Sequence, residues 1–588
     1  MKKIILTWIL ILLSFSLFCQ TTTQEISKVK PTIPKLFKAD SDIEFDSGSN
    51  FTSLNLSPSR KEDLIILGKV WGFLKYYHPS IASGNYNWDY ELFRILPKII
   101  NSKNHKERNQ ILSDWILKLG EVETGKPEMI DDSLIKLKPD LLWITNTSKL
   151  GEKLSKQLTE IRDAKRSTDH YYIGVVPNIG NPIFIHEKSY NNIQIKTDIG
   201  YRLLSLYRYW NIIQYYFPYK NLIGKDWNEV LGEYIPKFIN ATADLEYKLT
   251  VLSLIASIHD THANIWGNDP VLQTYRGLNY APVEVKFIEN KAVVTGYLNQ
   301  IAGEKSGLQK GDIILTINKN NIDKIIKEIL PITPASNYPT QLRDIAMNLL
   351  RTNDSILDIK FQRGTTESDL KIKCFSSKTL GLFAGNTKRD TCFKLLTPEI
   401  GYLYPGTFKN AYLQMIMKEN KNTNGLIIDM RTYPSESIVF TLGAYLMPEA
   451  TGFVKFSMTI YTTPGLFAYL PTISVGKNNI DNYKGKVVII VNETTQSQAE
   501  YASMAFRVAP DAKVIGSTTA GADGNISYFY LPGGIRTGIS GLGVYTPEGK
   551  ETQRIGIVPD IVVKPTIKGI IEGRDELLEK AIEIINEK

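Results

Sequence analysis

Histidine and cysteine are scarce in this chain, with six His and three Cys among 588 residues. A structural zinc site needs a cluster of His and Cys ligands, and a small disulfide scaffold needs a high cysteine density. Both classes are therefore excluded, and neither a metal nor another cofactor is predicted. Cys374 and Cys392 lie far from the N-terminus, and the sequence leaves open whether they form a disulfide or remain buried thiols.

Long apolar runs are missing except at the N-terminus. The positively charged start Met1–Lys3 is followed by an apolar stretch, residues 4–18, and then by Cys19. This pattern is typical of a secretory signal peptide and is too short for a spanning helix. Lipid attachment at Cys19 would make a lipoprotein, but the bulky Phe18 favours simple cleavage. We therefore expect an exported protein of the periplasm or cell envelope.

Blocks of like charge are also missing. The formal net charge is +8, and Lys and Arg are scattered among Asp and Glu. Such a pattern is typical of a solvated surface and gives no indication of nucleic-acid binding. The length predicts about three or four domains, and the sequence leaves homo-oligomer formation open.

A constant spacing of 139 residues relates two segments near the N-terminus. The residues Trp71, Tyr76, Tyr77, Pro79, Trp88, Pro97, Lys98 and Asn101 recur as Trp210, Tyr215, Tyr216, Pro218, Trp227, Pro236, Lys237 and Asn240. An ungapped match of this kind indicates a duplication. We predict helical repeats over 59–144 and 201–275, joined by a connecting segment at 145–200 and preceded by an irregular linker at 20–58. Aromatic stripes at helical spacing predict core packing.

The two repeats differ at the end of the second one. His259 and His262 stand there, where the first repeat carries Gly120 and Glu123. A structural feature tends to survive in both copies, so the difference indicates chemistry in the second copy only. Because His is the commonest general base, His262 is the candidate base and His259 its competitor.

Two further regions follow. Alternation over 283–287 and 291–295 predicts strands in a β-rich region at 277–375, with a helix at 340–350. Residues 380–588 alternate between strands and helices, which predicts an α/β domain that ends in an amphipathic helix at 576–585.

A sharp turn at Ser497 is the candidate catalytic feature. The apolar run Lys486–Val491 predicts a buried strand, and the residues after Ser497 have helical spacing. Ligands bind at the carboxyl ends of such strands, and amides at a helix start can stabilise a developing negative charge. Helix capping by Ser497 is the competing interpretation.

Four segments in order resemble one serine peptidase family, that of tail-specific (C-terminal processing) proteases and the core of tricorn protease. Ser497–Glu500 resembles the family's Ser-x-x-Glu element, and Asp429–Pro434 resembles its Asp-Leu-Arg-x-x-Pro. Residues 514–524 and 556–561 resemble its glycine loop and its Gly-x-x-Pro-Asp-Ile close. Ile301–Asn318 resembles the signature of a PDZ domain, which takes an extended peptide as an added strand or only spaces and gates the site.

The resemblance implies a multidomain α+β fold. Its parts are a helical duplicated N-terminal region, a PDZ-like β-rich domain and an α/β (crotonase/ClpP-like) peptidase domain. The Lys of the tail-specific Ser-Lys dyad is absent, because Ala522 stands in its place. The Asp-x-His element at His262 resembles the tricorn-type variant, in which a Ser nucleophile is served by a His base.

The rest of the site is also implied only by that resemblance. Thr261 would link His262 to an acidic residue, but the family's Glu position is Gln553 here, so Glu548, Glu551 and Gln553 itself are candidates. Backbone amides of Gln498 and Ser435 would form the oxyanion hole.

We therefore predict an exported serine peptidase that cleaves peptides or protein C-terminal regions with Ser497 and His262. A catalytically inactive, PDZ-containing peptide-binding protein of the same fold is the alternative. A retinoid carrier is a weaker third hypothesis.

Overall fold

The computed structural model describes residues 36–125, 129–382 and 391–587. The predicted signal peptide, residues 1–19, lies outside the described residues, as does the first part of the predicted linker. Within the described ranges, no helix combines the length and the apolar character needed to cross a membrane.

The first region, up to about residue 276, is helical. Its two longest helices begin with side-chain caps: Ser57 accepts from the Arg60 amide, and Asp198 accepts from the Tyr201 amide. The helices are Pro58–Tyr77, Pro79–Ala82, Trp88–Ile100, His105–Leu117, Thr147–Arg162, Ile199–Tyr216, Trp227–Asn240, Asp244–Ala256 and Pro270–Arg276, and the short strands are Ile135–Leu137, Ile173–Val175 and Pro182–Phe184.

The duplication predicted from the spacing appears as two equivalent indole pairs. Trp71 and Trp88 each donate their Nε1–H to the other's carbonyl at 2.8 Å. Trp210 and Trp227 exchange the same two bonds at 2.7 and 3.0 Å. The aromatic residues of both copies are buried in one core, as predicted.

The helices Pro58–Tyr77 and Ile199–Tyr216 cross at equivalent positions of the two copies. A Cβ on Gly72 would lie 1.8 Å from Asn211 Cγ, and one on Gly68 would lie 2.6 Å from the Tyr207 ring. Both pairs are separated by the repeat spacing of 139 residues. An approximate two-fold axis therefore relates the two copies, and glycine is required where the backbones approach.

A buried set of charges lies beside this crossing. Lys75 and Arg208 are paired with Glu187 and Asp89, and all four side chains are at most 2% exposed. Arg208 also donates to the carbonyl of Tyr530 at 2.6 Å. The helical region is thereby tied to a hairpin from the C-terminal part of the chain.

The middle region is built on a twisted antiparallel sheet. Its strands run in the order Thr366–Lys373, Ile356–Arg363, Ile313–Ile317, Lys291–Tyr297, Val283–Ile288. The helix Tyr338–Leu349 packs Ile345 and Leu349 into the same core as Val283 on the edge strand. The strands and the helix expected here are confirmed. The other elements are the strands Asn279–Tyr280, Asn320–Asn321, Arg351–Thr352 and Phe375–Ser376 and the helices Gln300–Glu304, Ile322–Ile329 and Ser377–Leu380.

The C-terminal region contains a six-stranded sheet. Its order is Phe393–Thr397, Ile400–Leu403, Gly425–Asp429, Lys486–Val491, Lys513–Gly516, Ile561–Val562, and every neighbour after the first pair is parallel. Helices Val439–Leu446 and Gln498–Phe506 cover one face, and Glu576–Asn586 covers the other. A parallel sheet covered on both faces explains the apolar runs, and the α/β prediction is confirmed.

Smaller strands complete this region. The hairpin Ile526–Leu531/Ile535–Ser540 places its apolar residues in the helical core. The other strands are Thr451–Thr459, Phe467–Tyr469, Ile473–Val475 and Gly543–Tyr545, and the other helices are Leu413–Asn420 and Ile567–Glu572. The hairpin carries Ser540, at its end, to the second helical repeat.

Cys374 and Cys392 are free and buried. Burial raises the pKa of the Cys374 thiol to about 11, so this thiol is protonated and unreactive at neutral pH.

Candidate active site

Ser497 occupies a strained turn between a strand and a helix. Its φ of 55° and ψ of −120° place a non-glycine residue in a sparsely populated region of backbone space. Strain of this kind concentrates at functional sites. The Ser497 amide donates to Ala522 O at 3.0 Å and to Glu500 Oε2 at 3.1 Å, so the turn is held on its main-chain side while the side chain remains half-exposed.

Glu500 is buried and organises the turn that carries Ser497. Its buried carboxylate accepts from the amides of Ser497, Gly521 and Ala522 and from the Thr519 hydroxyl. Burial raises the pKa of Glu500, and these donors oppose the shift. Glu500, the last residue of the Ser-x-x-Glu element, thus holds the loop 519–522 against the Ser497 turn.

The two residues predicted to form the oxyanion hole differ in whether their backbone amides are free to bind an oxyanion. The Gln498 amide, at the first helical position, makes no hydrogen bond within the described ranges, and the Gln498 side chain donates to Glu436 O at 3.2 Å. The Ser435 amide, in contrast, donates to Pro405 O at 3.1 Å. An oxyanion could therefore bind the Gln498 amide directly, whereas Ser435 would first have to release Pro405.

An aromatic side chain borders the serine. Tyr433 is 57% exposed and lies beside Ser497: burial of part of its ring raises the Tyr433 pKa, and the Ser497 side chain lowers it. The partly exposed Tyr433 side chain thus lies next to the Ser497 side chain.

His262 is almost completely buried, with 1% exposure, six residues after the helix Asp244–Ala256. Its Nδ1 lies 2.9 Å from Ser540 Oγ, and its Nε2 has no hydrogen-bond partner among the described residues. Burial lowers the pKa of His262 and the neighbouring Asp260 opposes this. The ring is therefore neutral at neutral pH, as a general base must be.

One loop connects the segments that carry Ser497 and His262. The Thr261 hydroxyl donates to Ala520 O at 2.9 Å, and the Ser497 amide donates to Ala522 O at 3.0 Å. Thr261 and Ser497, which are 236 positions apart in the sequence, thus bond to the same short segment.

The candidates for the third catalytic residue lie in different places. Gln553 is buried, and its Nε2 lies 3.3 Å from Asp260 Oδ1 and 3.4 Å from Ser336 Oγ. Glu551 is paired with Lys136, and Glu548 is exposed. The structure brings Gln553 to the His262 segment and leaves Glu548 and Glu551 in other surroundings.

His259, the competing base, also has an unusual backbone, with φ of 53°. Burial first, and then Arg554, lowers the pKa of His259. Its carbonyl accepts from Gln553 Nε2 at 3.5 Å, so the residue helps to shape the loop that presents His262.

Two polar residues of the site had no role in the sequence-based prediction. Asp260 is fully buried and accepts from the His262 amide at 3.1 Å, and Ser540 lies between Asp260 and the His262 ring. Asp260 belongs to the Asp-x-His element, and this spacing is the sequence signal for an acid beside His262. Ser540 is 278 residues from His262, and only the hairpin packing brings it there.

Comparisons with known proteins concern the C-terminal region and the overall fold. Residues 399–563 match the model of Peptidase family S41. The C-terminal region of the chain belongs to peptidase family S41. The chain is accordingly a serine-type peptidase, and the predicted family is confirmed. No curated protein matches the chain.

Among solved structures, the chain is similar to mature CPAF complexed with lactacystin, with 13% identity and a TM-score of 0.52 over 66% of this chain and 98% of that one. Another structure of mature CPAF gives 14% identity, the same TM-score and the same coverage. Tricorn protease gives 14% identity and a TM-score of 0.31 over 72% of this chain and 42% of that one. The CPAF likeness shows a shared fold, and the mixed α+β multidomain class is confirmed. The PDZ-like and crotonase-like assignments remain predictions.

Proposed function

We propose that this S41 peptidase is exported and cleaves peptide bonds with Ser497 as nucleophile and His262 as general base. The observation that carries the proposal is the shared loop: Thr261 and Ser497 bond to Ala520 and Ala522, two residues apart. Export rests on the N-terminal sequence pattern alone.

The chemistry follows from the groups present. Ser497 Oγ attacks the peptide carbonyl while His262 Nε2 accepts the hydroxyl proton. The resulting oxyanion binds the Gln498 amide, a preorganised donor at a helix N-terminus. His262 then gives its proton to the departing amine, leaving an acyl-serine. Water, deprotonated by the same nitrogen, hydrolyses the ester and restores the Ser497 hydroxyl.

The unpartnered nitrogen of His262 supports this role. A buried polar atom without a hydrogen bond costs about 1–3 kcal/mol, and most such atoms in folded proteins are paired. Nε2 of His262 is buried and has no partner in the described part of the chain. A nitrogen kept as a free acceptor is what proton abstraction from Ser497 requires.

We also propose that the peptidase selects protein C-terminal regions as substrates. Peptides add as strands to an exposed sheet edge beside a helix in PDZ domains, and the middle region has Val283–Ile288 at its sheet edge beside the helix Tyr338–Leu349. Arg343 on that helix donates to Glu493 O at 2.8 Å and to Gln496 Oε1 at 3.2 Å. A peptide that moved the helix would therefore act on the turn that presents Ser497.

Hydrolysis of a mixed peptide library by the mature chain tests the proposal. Ser497→Ala and His262→Ala should each lose almost all activity while keeping the native circular dichroism spectrum and unfolding midpoint. His259→Ala is the matched control and should retain most of the activity. An inert native chain, or a Ser497→Ala variant that cleaves normally, would favour the peptide-binding alternative. Cleavage unaffected by adding or blocking terminal carboxylates would remove the C-terminal preference alone.

A further inference from the structure

A histidine base is oriented by the hydrogen bond of its second ring nitrogen, and the identity of that partner matters here only if His262 has the proposed function. The family resemblance points to Thr261 and position 553, but Thr261 is already engaged. Its hydroxyl donates to Ala520 O at 2.9 Å and accepts from the Ser336 amide at 2.9 Å. The contact that the structure gives to the Nδ1 atom of the His262 ring is with Ser540 instead.

Asp260 and Ser540 form a doubly bonded pair. Ser540 donates its amide to Asp260 Oδ2 at 2.7 Å and its hydroxyl to Asp260 Oδ1 at 2.9 Å. Both residues are fully buried. Hydrogen bonds to a carboxylate in such surroundings are the strong ones, so the Ser540 hydroxyl has a fixed direction.

This direction determines the protonation of His262. An ionised carboxylate only accepts hydrogen bonds, so the single proton of the Ser540 hydroxyl points to Asp260. Ser540 Oγ can then only accept from His262 Nδ1, 2.9 Å away. The neutral ring must carry its proton on Nδ1, which leaves the lone pair on Nε2. This is the tautomer that can take a proton from Ser497.

We infer that Asp260 and Ser540 are the positioning residues of this peptidase: Asp260 acts through the Ser540 hydroxyl to fix the His262 ring and to stabilise its imidazolium. They replace the hydroxyl and acid that the family resemblance places at Thr261 and position 553. Once His262 Nε2 has accepted the Ser497 proton, the positive ring is bonded through Ser540 to the buried negative charge of Asp260.

Gln553 completes the arrangement. Its Nε2 donates toward Asp260 Oδ1 at 3.3 Å, which adds a neutral donor to the carboxylate. If Asp260 only stabilised a local turn, the bond that it accepts from the His262 amide would be sufficient. The bonds to Ser540 join residues 280 positions apart, and they make Asp260 a bridge between the helical repeat and the C-terminal hairpin.

Steady-state kinetics of Asp260→Asn and Ser540→Ala test the inference in the full chain. We expect each to lower kcat by roughly 10–100-fold, because a charge-assisted bond is lost, with KM within about twofold, since neither side chain meets the substrate. Ser527→Ala is the matched control: Ser527 lies on the partner strand of the same hairpin and bonds to Asn181 at 2.9 Å. Its kcat should match the native value.

A second measurement is independent of activity. The ¹⁵N chemical shifts of His262 report which ring nitrogen carries the proton, and we expect the Nδ1–H form in the native chain and a mixture of tautomers in Ser540→Ala. Native kcat in both Asp260→Asn and Ser540→Ala, or an Nε2–H ring in the native chain, would overturn the inference. If the library experiment shows no hydrolysis, the proposed function fails, and the tautomer measurement still decides the role of Ser540.

Discussion

Gln553 Nε2 lies 3.3 Å from Asp260 Oδ1. The family that the sequence resembles often carries Glu at the position of Gln553. The amide can donate to the buried carboxylate, and a glutamate could not. Gln553 is therefore a hydrogen-bond donor to Asp260. Its presence in place of Glu does not mark the loss of a catalytic acid.

Restoring the glutamate should impair the enzyme. In Gln553→Glu two carboxyl groups would share a buried site, and such pairs cannot both ionise. The shared proton would weaken the charge available to His262, so we expect kcat/KM at pH 7 to fall by at least about tenfold. Gln553→Met, which removes the donor without adding charge, should lose less. A Gln553→Glu variant faster than the native chain would instead support the Thr261–Glu arrangement.

The acid limb of the pH–rate profile should lie at low pH. Burial lowers the pKa of His262, and Asp260 only partly opposes it. A base with a lowered pKa remains unprotonated further into the acid range, so kcat/KM should decline only below the ordinary His pKa of about 6.5. The measurement is kcat/KM between pH 4 and 9 at constant ionic strength. An acid limb with its midpoint above pH 7 would mean that His262 is not the base whose titration controls kcat/KM.

Asp523 should make stability depend on pH. It follows the loop that binds Ser497, is 3% exposed, and its Oδ2 has no partner within the described chain. Burial first, and then Glu500, raises the pKa of Asp523 well above its usual range. The native state therefore binds a proton that the unfolded state releases above about pH 4, and the contribution of Asp523 to stability falls as the pH rises from there through the raised pKa.

Asp523→Asn removes this titration. We expect the variant to be more stable than the native chain at pH 8 by more than about 1 kcal/mol, because ionising a buried carboxyl whose Oδ2 has no partner among the described residues is costly. The gain should shrink toward zero below about pH 4, where the native side chain is protonated in both states. Urea unfolding at a series of pH values measures it. A gain that is the same at every pH would contradict this role of Asp523.

Glu500, unlike Asp523, should stabilise the native state. Its four donors lose their acceptor in Glu500→Ala, so we expect a loss of about 3 kcal/mol in the free energy of unfolding. Glu419→Ala, at an exposed helical position, is the control and should change stability by less than about 0.5 kcal/mol. Equal effects of the two substitutions would show that the carboxylate does not hold the turn.

The local elements of the fold could be predicted because each has a short-range signal. The apolar run Lys486–Val491 is buried on both faces of a parallel sheet, and the constant spacing of the repeat reflects the Trp71–Trp88 and Trp210–Trp227 pairs. The turn at Ser497 was predicted from the switch between strand and helix periodicity.

The surroundings of His262 could not be predicted in the same way. Ser540 reaches the ring only because its hairpin packs into the helical core, and no periodicity encodes a contact across 278 residues. The engagement of the Ser435 amide by Pro405 likewise depends on how two loops meet. Residue type and motif position selected Ser497, His262 and Gln553, but the hydrogen-bond directions that define their roles arise from tertiary packing.

Covalent labelling of Ser497 by a fluorophosphonate tests the central claim most directly, because the reagent reports activation of the serine without requiring a known substrate. After reaction of the native chain, peptide mass spectrometry should find the adduct on Ser497, and labelling should be lost in Ser497→Ala. It should slow by at least about a hundredfold in His262→Ala, since the hydroxyl then lacks a base. Labelling of Ser497 at the native rate in His262→Ala, or labelling of the native chain at another residue only, would contradict the Ser497–His262 account.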